Sequence, residues 1–199
     1  MADAPRPRGR PRSFDTGAAM TRIVDVFRTF GLDAASLDDI SAATGLSRPS
    51  LYAAFGNKTA LYLSAMEAFS LSVTDQAALR LSEDGSVEAV LTDFFEALVD
   101  LYAPKDGSAL GCLVWGTAPA AVHSDEVRTR LAAALSELDA LFMDVVQGAD
   151  TDDTARAAAE LLANTVMGVS TRARAGADPD KIRAHTRRVA KFIAAGLQA

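Results

Sequence analysis

Residues 44–58 read "TGLSRPSLYAAFGNK", a mixture of turn glycine, hydroxyls, arginine, proline, tyrosine and lysine that packing alone does not ask for. Gly45 is a stop signal for the helix before it, and Ser47 is suited to cap the helix after it. Pro49 then falls in that helix's first turn, where a missing N–H removes no intrahelical bond. Upstream, "SLDD" at 36–39 opens an earlier short helix, with Ser36 as its cap and an acid three residues on. Two short helices joined through Gly45 make the helix-turn-helix pattern, whose second helix enters the major groove with its N-terminal residues near base edges.

That placement divides the side chains by task. Ile40, Leu46, Leu51 and Phe55 fall on an inner face, expected to pack against Ile23 and Phe27 of a preceding helix. Arg48, Pro49, Ser50 and Tyr52 are left outward. Arg48 can donate two hydrogen bonds to guanine O6 and N7, Ser50 can bond a base or phosphate, and Pro49 can touch a thymine methyl. Tyr52 can give its hydroxyl to a phosphate. Lys58, at the start of the following helix, adds charge where backbone N–H groups already favour an anion.

Outward from this stretch, Met20, Ile23, Phe27 and Phe30 recur at helical spacing from about Asp15, and Gly31 closes that first helix. On the other side, Asn57 caps a long helix over 58–81 with Tyr62, Met66, Phe69 and Val73 on one side. At ~1.5 Å per residue it extends about 36 Å, enough to join two domains. Residues 1–12, "MADAPRPRGRPR", carry four arginines and too little apolar surface to fold alone, and read as a flexible basic arm. The chain's net charge is −6, yet residues 1–60 are net positive and the remainder strongly acidic. Such a distribution suits a protein that touches nucleic acid with one end only.

Further helices are expected over 86–102, 124–147, 151–175 and from Asp178-Pro179 onward, with an irregular apolar segment at 109–121. "SEDG" at 82–85 reads as a loop and "APKDGS" as a break. No strand alternation is present. The fold class is all-α with about nine helices: an arm at 1–12, a three-helix helix-turn-helix DNA-binding domain at 13–60, and a larger helical domain at 61–199.

Residues 14–62 resemble the DNA-binding domain of the TetR family of bacterial transcriptional regulators, in "FRTFG" at the end of the first helix and "SLDDISAATGLSRPSLYAAFGNKTALY" after it. The resemblance implies a homodimer with a three-helix reader and a variable C-terminal domain that binds a small molecule and releases operator DNA. Ser36 stands where threonine is common, and it keeps the cap and the implied phosphate contact; Ser47 joins the same implied set of DNA contacts. Ala53 stands where many members carry a polar residue, so a phosphate contact is absent there. The arm "RGRPRSFD" also looks like arms found in part of the family.

In the C-terminal domain the resemblance covers architecture only. Candidate ligand contacts are Phe69, Phe95, Leu98, Tyr102, Trp115, Met143 and Met167, large or adaptable side chains beside which Phe94 and Phe142 belong. Trp115 leads, because Gly111, Gly116 and Pro119 leave room and irregular backbone around it. Thr117, His123 and Thr171 are candidate polar contacts to an effector expected to be largely apolar. Cys112, the single cysteine, is either a small buried residue or a redox switch of the kind suggested by a similar glycine-cysteine pair in electrophile- and oxidant-sensing relatives. The switch needs a lowered pKa, for which the sequence offers only Lys105 nearby. The last two helices, rich in alanine, are expected to pack on their counterparts in a second chain.

Other classes find little support. No nucleophile elbow, phosphate loop or paired catalytic carboxylates are evident, and one cysteine with two histidines offers little for a metal. No catalytic activity and no cofactor are expected, and neither a spanning helix nor a secretory signal, so a cytoplasmic protein. The expected function is a homodimeric repressor released from a palindromic double-stranded operator by a small molecule. The alternatives are a thiol-based sensor using Cys112, and an activator or ligand-independent regulator.

Overall fold

The computed structural model describes residues 15–81, 85–103, 110–147 and 151–197. The basic arm, most of the loop at 82–85 and most of the break at 103–108 lie outside them, as does Lys105. Among the described residues there are nine α-helices, one short 3-10 turn and no strand.

Helix α1, Thr16–Ala34, starts where the Asp15 carboxylate accepts from the N–H groups of Gly17 and Ala18. Its regular part ends at Gly31, beyond which one more turn forms. Helix α2, Leu37–Thr44, carries a capping box: Ser36 accepts from Asp39 N–H while the Asp39 carboxylate takes the Ser36 N–H. Two donors that a helix start leaves unpaired are satisfied at once. Gly45 follows at φ 74°, a left-handed conformation costly for any residue with a Cβ, and this turns the chain into α3. Helix α3, Arg48–Phe55, has Ser47 as cap and Pro49 in its first turn. Asn57 caps α4, Lys58–Leu81, accepting from Ala60 N–H at 2.8 Å.

Ile23, Phe27, Ile40, Leu51, Leu61 and Tyr62 are almost fully buried and knit α1–α4 together. Each such side chain contributes about 1.5–3 kcal/mol on burial. One member of the expected apolar face departs from it. Phe30 is half exposed, because at the end of α1 it borders a crevice with Trp115 and Pro119 instead of facing α2.

The larger part comprises α5 (Val87–Tyr102), the 3-10 turn Trp115–Thr117, α6 (Ala118–Ala121), α7 (Asp125–Val145), α8 (Asp152–Arg174) and α9 (Pro179–Gly196). The segment expected to be irregular contains that 3-10 turn and the single turn of α6. Helix α5 is central, packing against α4, α8 and α9, while α7 closes over α8 and α4. Arg183 of α9 reaches Glu96 (2.7 Å) and Asp100 (2.6 Å) of α5, and Arg187 reaches the other Glu96 oxygen at 2.5 Å. Phe192 of α9, one of the two helices expected to pack on a second chain, is 69% exposed and lies outside the chain's own core.

Candidate functional site

The outward face of α3 forms as its spacing predicts. Arg48, Pro49, Ser50 and Tyr52 are all exposed, held on a helix whose inner side is anchored by the buried Leu51. The Ser47 and Ser50 hydroxyls lie 2.9 Å apart. The Ser36 hydroxyl is engaged in the capping box, donating to Asp39 at 2.6 Å. Lys58 donates through Nζ to the Asp33 carbonyl at 3.1 Å, which ties the start of α4 to the last turn of α1.

Asp38 is a member of this face that the motif reading passed over. Arg48 donates to it from two nitrogens, Nε at 2.8 Å and Nη2. The Arg48 hydrogen bond holds the Asp38 carboxyl below the usual carboxylate range, and the same contact raises the Arg48 pKa. Asp39 is likewise lowered, by the Ser36 hydroxyl and N–H. The fork that is the candidate base reader is therefore held by an acid on α2, in a geometry set by two planar groups. The signal was present in sequence as an acid and an arginine flanking the turn, but only the helix crossing brings them together.

Behind this face lies a second group. Arg28 on α1 is 6% exposed and donates from Nε and Nη2 to the Gly111 carbonyl (3.1 and 2.8 Å) and from Nη2 to the Leu101 carbonyl (2.8 Å). Its guanidinium also stands over the Phe69 ring, 5.2 Å from the centroid. Burial lowers its pKa, with Asp25 at 3.9 Å acting the other way. A cation buried this deeply persists because its donors are satisfied. Gly111 sits at φ 60°, and a Cβ there would come within 3.0 Å of the Ser170 carbonyl, so the carbonyl that Arg28 grips is presented by a backbone only glycine allows. Nearby, the Tyr62 and Thr117 hydroxyls meet at 2.6 Å. Sequence reading missed Arg28, since nothing local distinguishes an arginine that caps carbonyls 73 and 83 residues away.

Beside Arg28 a cavity of about 60 Å³ opens between α4, α5, α7, α8 and the segment at 112–115. Of the sequence candidates, Phe69, Leu98, Tyr102 and Trp115 line it together with Cys112. Phe95 does not line it. It is fully buried and packs edge-on against Phe94, centroids 5.1 Å apart. Met143 points to solvent on the outer side of α7, and Met167, half-buried on α8, is also off the wall. Thr117 is engaged with Tyr62 and with the Leu113 carbonyl. His123 and Thr171 lie on separate surface clefts. Val73, Phe94, Val114 and Val166 complete the apolar wall, while Glu137 brings a carboxylate to it.

Burial pushes the Tyr102 hydroxyl well up and the Cys112 thiol up as well. Both are protonated at neutral pH. The cysteine's own N–H is taken by the Ser170 hydroxyl at 2.8 Å, and burial opposes the thiolate that a redox switch needs. Among the described residues no cluster of three metal-ligating side chains occurs, and no helix is long and apolar enough to cross a membrane.

Comparison with known proteins agrees with the geometry at the N-terminal end first. Residues 21–65 match the model of the tetR family of bacterial regulatory proteins. The HTH-type transcriptional repressor ComR of Escherichia coli (strain K12) is 36% identical over 111 residues, a match spanning 55% of this chain and 52% of ComR. This chain thus spans about half the length of that relative. The uncharacterized HTH-type transcriptional regulator YezE of Bacillus subtilis (strain 168) is 27% identical over 89% of this chain and 95% of its own. Among solved structures, a cysteine-substituted form of the TetR family transcriptional regulator CifR, complexed with 26-base-pair double-strand operator DNA, superposes with a TM-score of 0.80. It is 28% identical, over 92% of this chain and 98% of that one.

Proposed function

We propose, for a chain that belongs to the TetR family of bacterial regulatory proteins, that it is a cytoplasmic homodimeric repressor which binds a palindromic operator and leaves it when a small molecule enters the cavity beside Arg28. The observation that carries the reading is the exposed Arg48, Ser50 and Tyr52 face on a capped helix-turn-helix. The operator-bound CifR structure supports DNA as the partner. In this reading Arg48 reads a base edge, Pro49 touches a methyl, and Ser36, Ser47, Ser50, Tyr52 and Lys58 position the backbone. The paired state of Arg48 with Asp38 is then the resting position of the reader.

Two readers in one dimer meet successive major-groove faces about 34–36 Å apart. The outer face of α8 and α9, with Leu161 and Phe192 exposed around a groove closed by Gly196, is the surface we assign to the second copy. Release follows by linkage: a ligand that favours a different placement of α4 and α5 shifts the reader by no more than its difference in affinity for the two placements. Arg28 is the contact that transmits it, because it joins α1 to the carbonyl ends beside the cavity.

The test is binding of the purified chain to the DNA upstream of its own gene and to random DNA at matched salt, for wild type and Arg48→Ala. The expected result is palindrome-dependent binding that Arg48→Ala weakens by about tenfold or more, with the loss smaller on random DNA. Equal loss on both DNAs would remove the base-reading role. Equal weak binding of wild type to every fragment tested, including scanned intergenic DNA, would remove the repressor reading.

A further inference from the structure

The pair between Arg48 and Asp38 uses only part of the arginine. A guanidinium carries five N–H donors in one plane, grouped so that a side edge and an end edge can each serve a partner with two acceptors. Asp38 takes the side edge: its Oδ1 accepts from Nε at 2.8 Å and its Oδ2 from Nη2. The end edge, made by Nη1 and the remaining N–H of Nη2, has no hydrogen bond among the described residues. With 55% of the Arg48 side chain exposed, that edge is open to a partner outside the chain.

Folding gives little reason for such a pair. Both side chains are exposed, Asp38 at 69%, and exposed ion pairs contribute little to stability. Arg48 is also the first residue of α3, the end at which a helix dipole disfavours a cation. The neighbouring Asp39 is committed to the capping box, and it is the second acid, Asp38, whose carboxylate goes to the arginine. On DNA the open edge and the shared charge have different consequences. Guanine O6 and N7 present two acceptors that match the end edge. A phosphate attracts any free cation, but here it meets an arginine whose charge is already shared, beside a carboxylate that repels it.

We propose that Asp38 is a positioning residue that holds the Arg48 guanidinium by its side edge, presents the end edge to a guanine, and withholds the same charge from phosphate. The inference rests on the base-reading role of Arg48 and deepens it, naming the base and the second residue on which the reading depends. The acid lowers affinity for DNA at large and raises the difference between guanine and the other bases. Losing it therefore tightens binding to random DNA while blurring one position of the recognised sequence. A folding defect or a lost DNA contact would weaken both.

The experiment is enrichment and sequencing of a randomised duplex pool by the full-length chain, with affinity for random duplex measured across salt concentrations. It compares wild type, Asp38→Asn, Arg48→Ala and the double variant. Wild type should enrich a motif containing a guanine in each half-site that Arg48→Ala erases. Asp38→Asn should lower the preference for that guanine about tenfold and leave the other positions in place. It should also bind random duplex more tightly, with a log–log salt slope steeper by about one for each reader, and this gain should vanish when Arg48 is absent. Asp38→Ala, at the same exposed position, carries the same expectations, so the outcome does not hang on one substitution. The proposal is overturned by an undiminished guanine preference in Asp38→Asn, by a loss spread evenly over all positions of the motif, or by a base other than guanine at the position Arg48→Ala erases. It is overturned as well by a gain on random duplex equally large without Arg48, which would make Asp38 a distant charge. Failure of the underlying reading looks different: wild type enriches no motif, or Arg48→Ala leaves every position of it unchanged, and the inference falls with the reading. A guanine that Arg48→Ala erases and Asp38→Asn preserves removes this inference alone.

Discussion

On the reader face, Arg48, Ser50 and Tyr52 lie within five positions of one another, all exposed, and are held by bonds such as Arg48 to Asp38 that span at most ten residues. Around the cavity, the wall is drawn from residues as far apart as Phe69 and Val166, and the Arg28 bonds that adjoin it span 73 and 83 residues in a nearly buried setting. The first arrangement is a property of two neighbouring short helices, their caps and the turn that joins them. The second exists only once five elements have docked. Mutation should therefore act differently on the two: at the reader it should change binding and leave folding alone, whereas around the cavity stability and function are harder to separate.

The largest effect expected is at Phe95, a sequence candidate for ligand contact that the structure buries completely against Phe94. Phe95→Ala should cost about 3–5 kcal/mol by chemical denaturation, as deletion of a buried ring leaves a void that neighbours fill only in part. A loss under about 1 kcal/mol would mean that this part of the body behaves like a surface, and the comparison would fail at its strongest point.

Next is Arg28, where the two regions join. Arg28→Met leaves the Gly111 and Leu101 carbonyls without their donor, and the loss should be about 1–3 kcal/mol. It should also uncouple the reader from the body in calorimetry, so that one melting transition becomes two. A single transition at the wild-type temperature would show that α4 alone carries the connection. Tyr62→Phe tests the neighbouring link more gently: removing the hydroxyl that meets Thr117 at 2.6 Å should cost about 1 kcal/mol. Thr117 keeps the Leu113 carbonyl as partner, so a much larger loss would point to an additional role for the tyrosine hydroxyl.

The same contrast explains what was legible beforehand. Caps at Ser36, Ser47, Asn57 and Asp178, the left-handed Gly45 and the period of Ile23 and Phe27 are local rules, and each has its counterpart in the folded chain. Of the seven large side chains in the body named as ligand contacts, Phe69, Leu98, Tyr102 and Trp115 do line the cavity, whereas Phe95, Met143 and Met167 do not. Phe94 and Phe95 are adjacent in sequence, and only the direction of each ring decides which one meets the cavity. Met143 escaped for the opposite reason, since a helical stripe does not say whether its edge faces the chain's own core or the outside. Arg28 carried no local mark at all.

The smallest effect tests the reader by acid. Asp38 and Asp39 both have folded-state pKa values below the usual carboxylate range, the first through the Arg48 hydrogen bond and the second through the Ser36 hydroxyl and N–H. A lowered folded pKa means that the stabilising contact is fully present above the unfolded value, near pH 4, and is lost only as pH falls through the folded value. The reader should therefore be unchanged from pH 8 to 5, with both carboxyls protonating below about pH 4 in a carboxyl-resolved NMR titration. Salt separates them. Both groups are exposed, and added salt should move the Asp38 midpoint back toward its unfolded value, because its partner is a charge, while the Asp39 midpoint, set by neutral donors, should move less. If Asp38 titrates at its ordinary value, the pair with Arg48 is not a resting state in solution and the reader's arginine is free before DNA arrives. If instead both midpoints are low and only Asp38 answers to salt, the reader's order is local in the sense argued here, built from contacts that need nothing from the body.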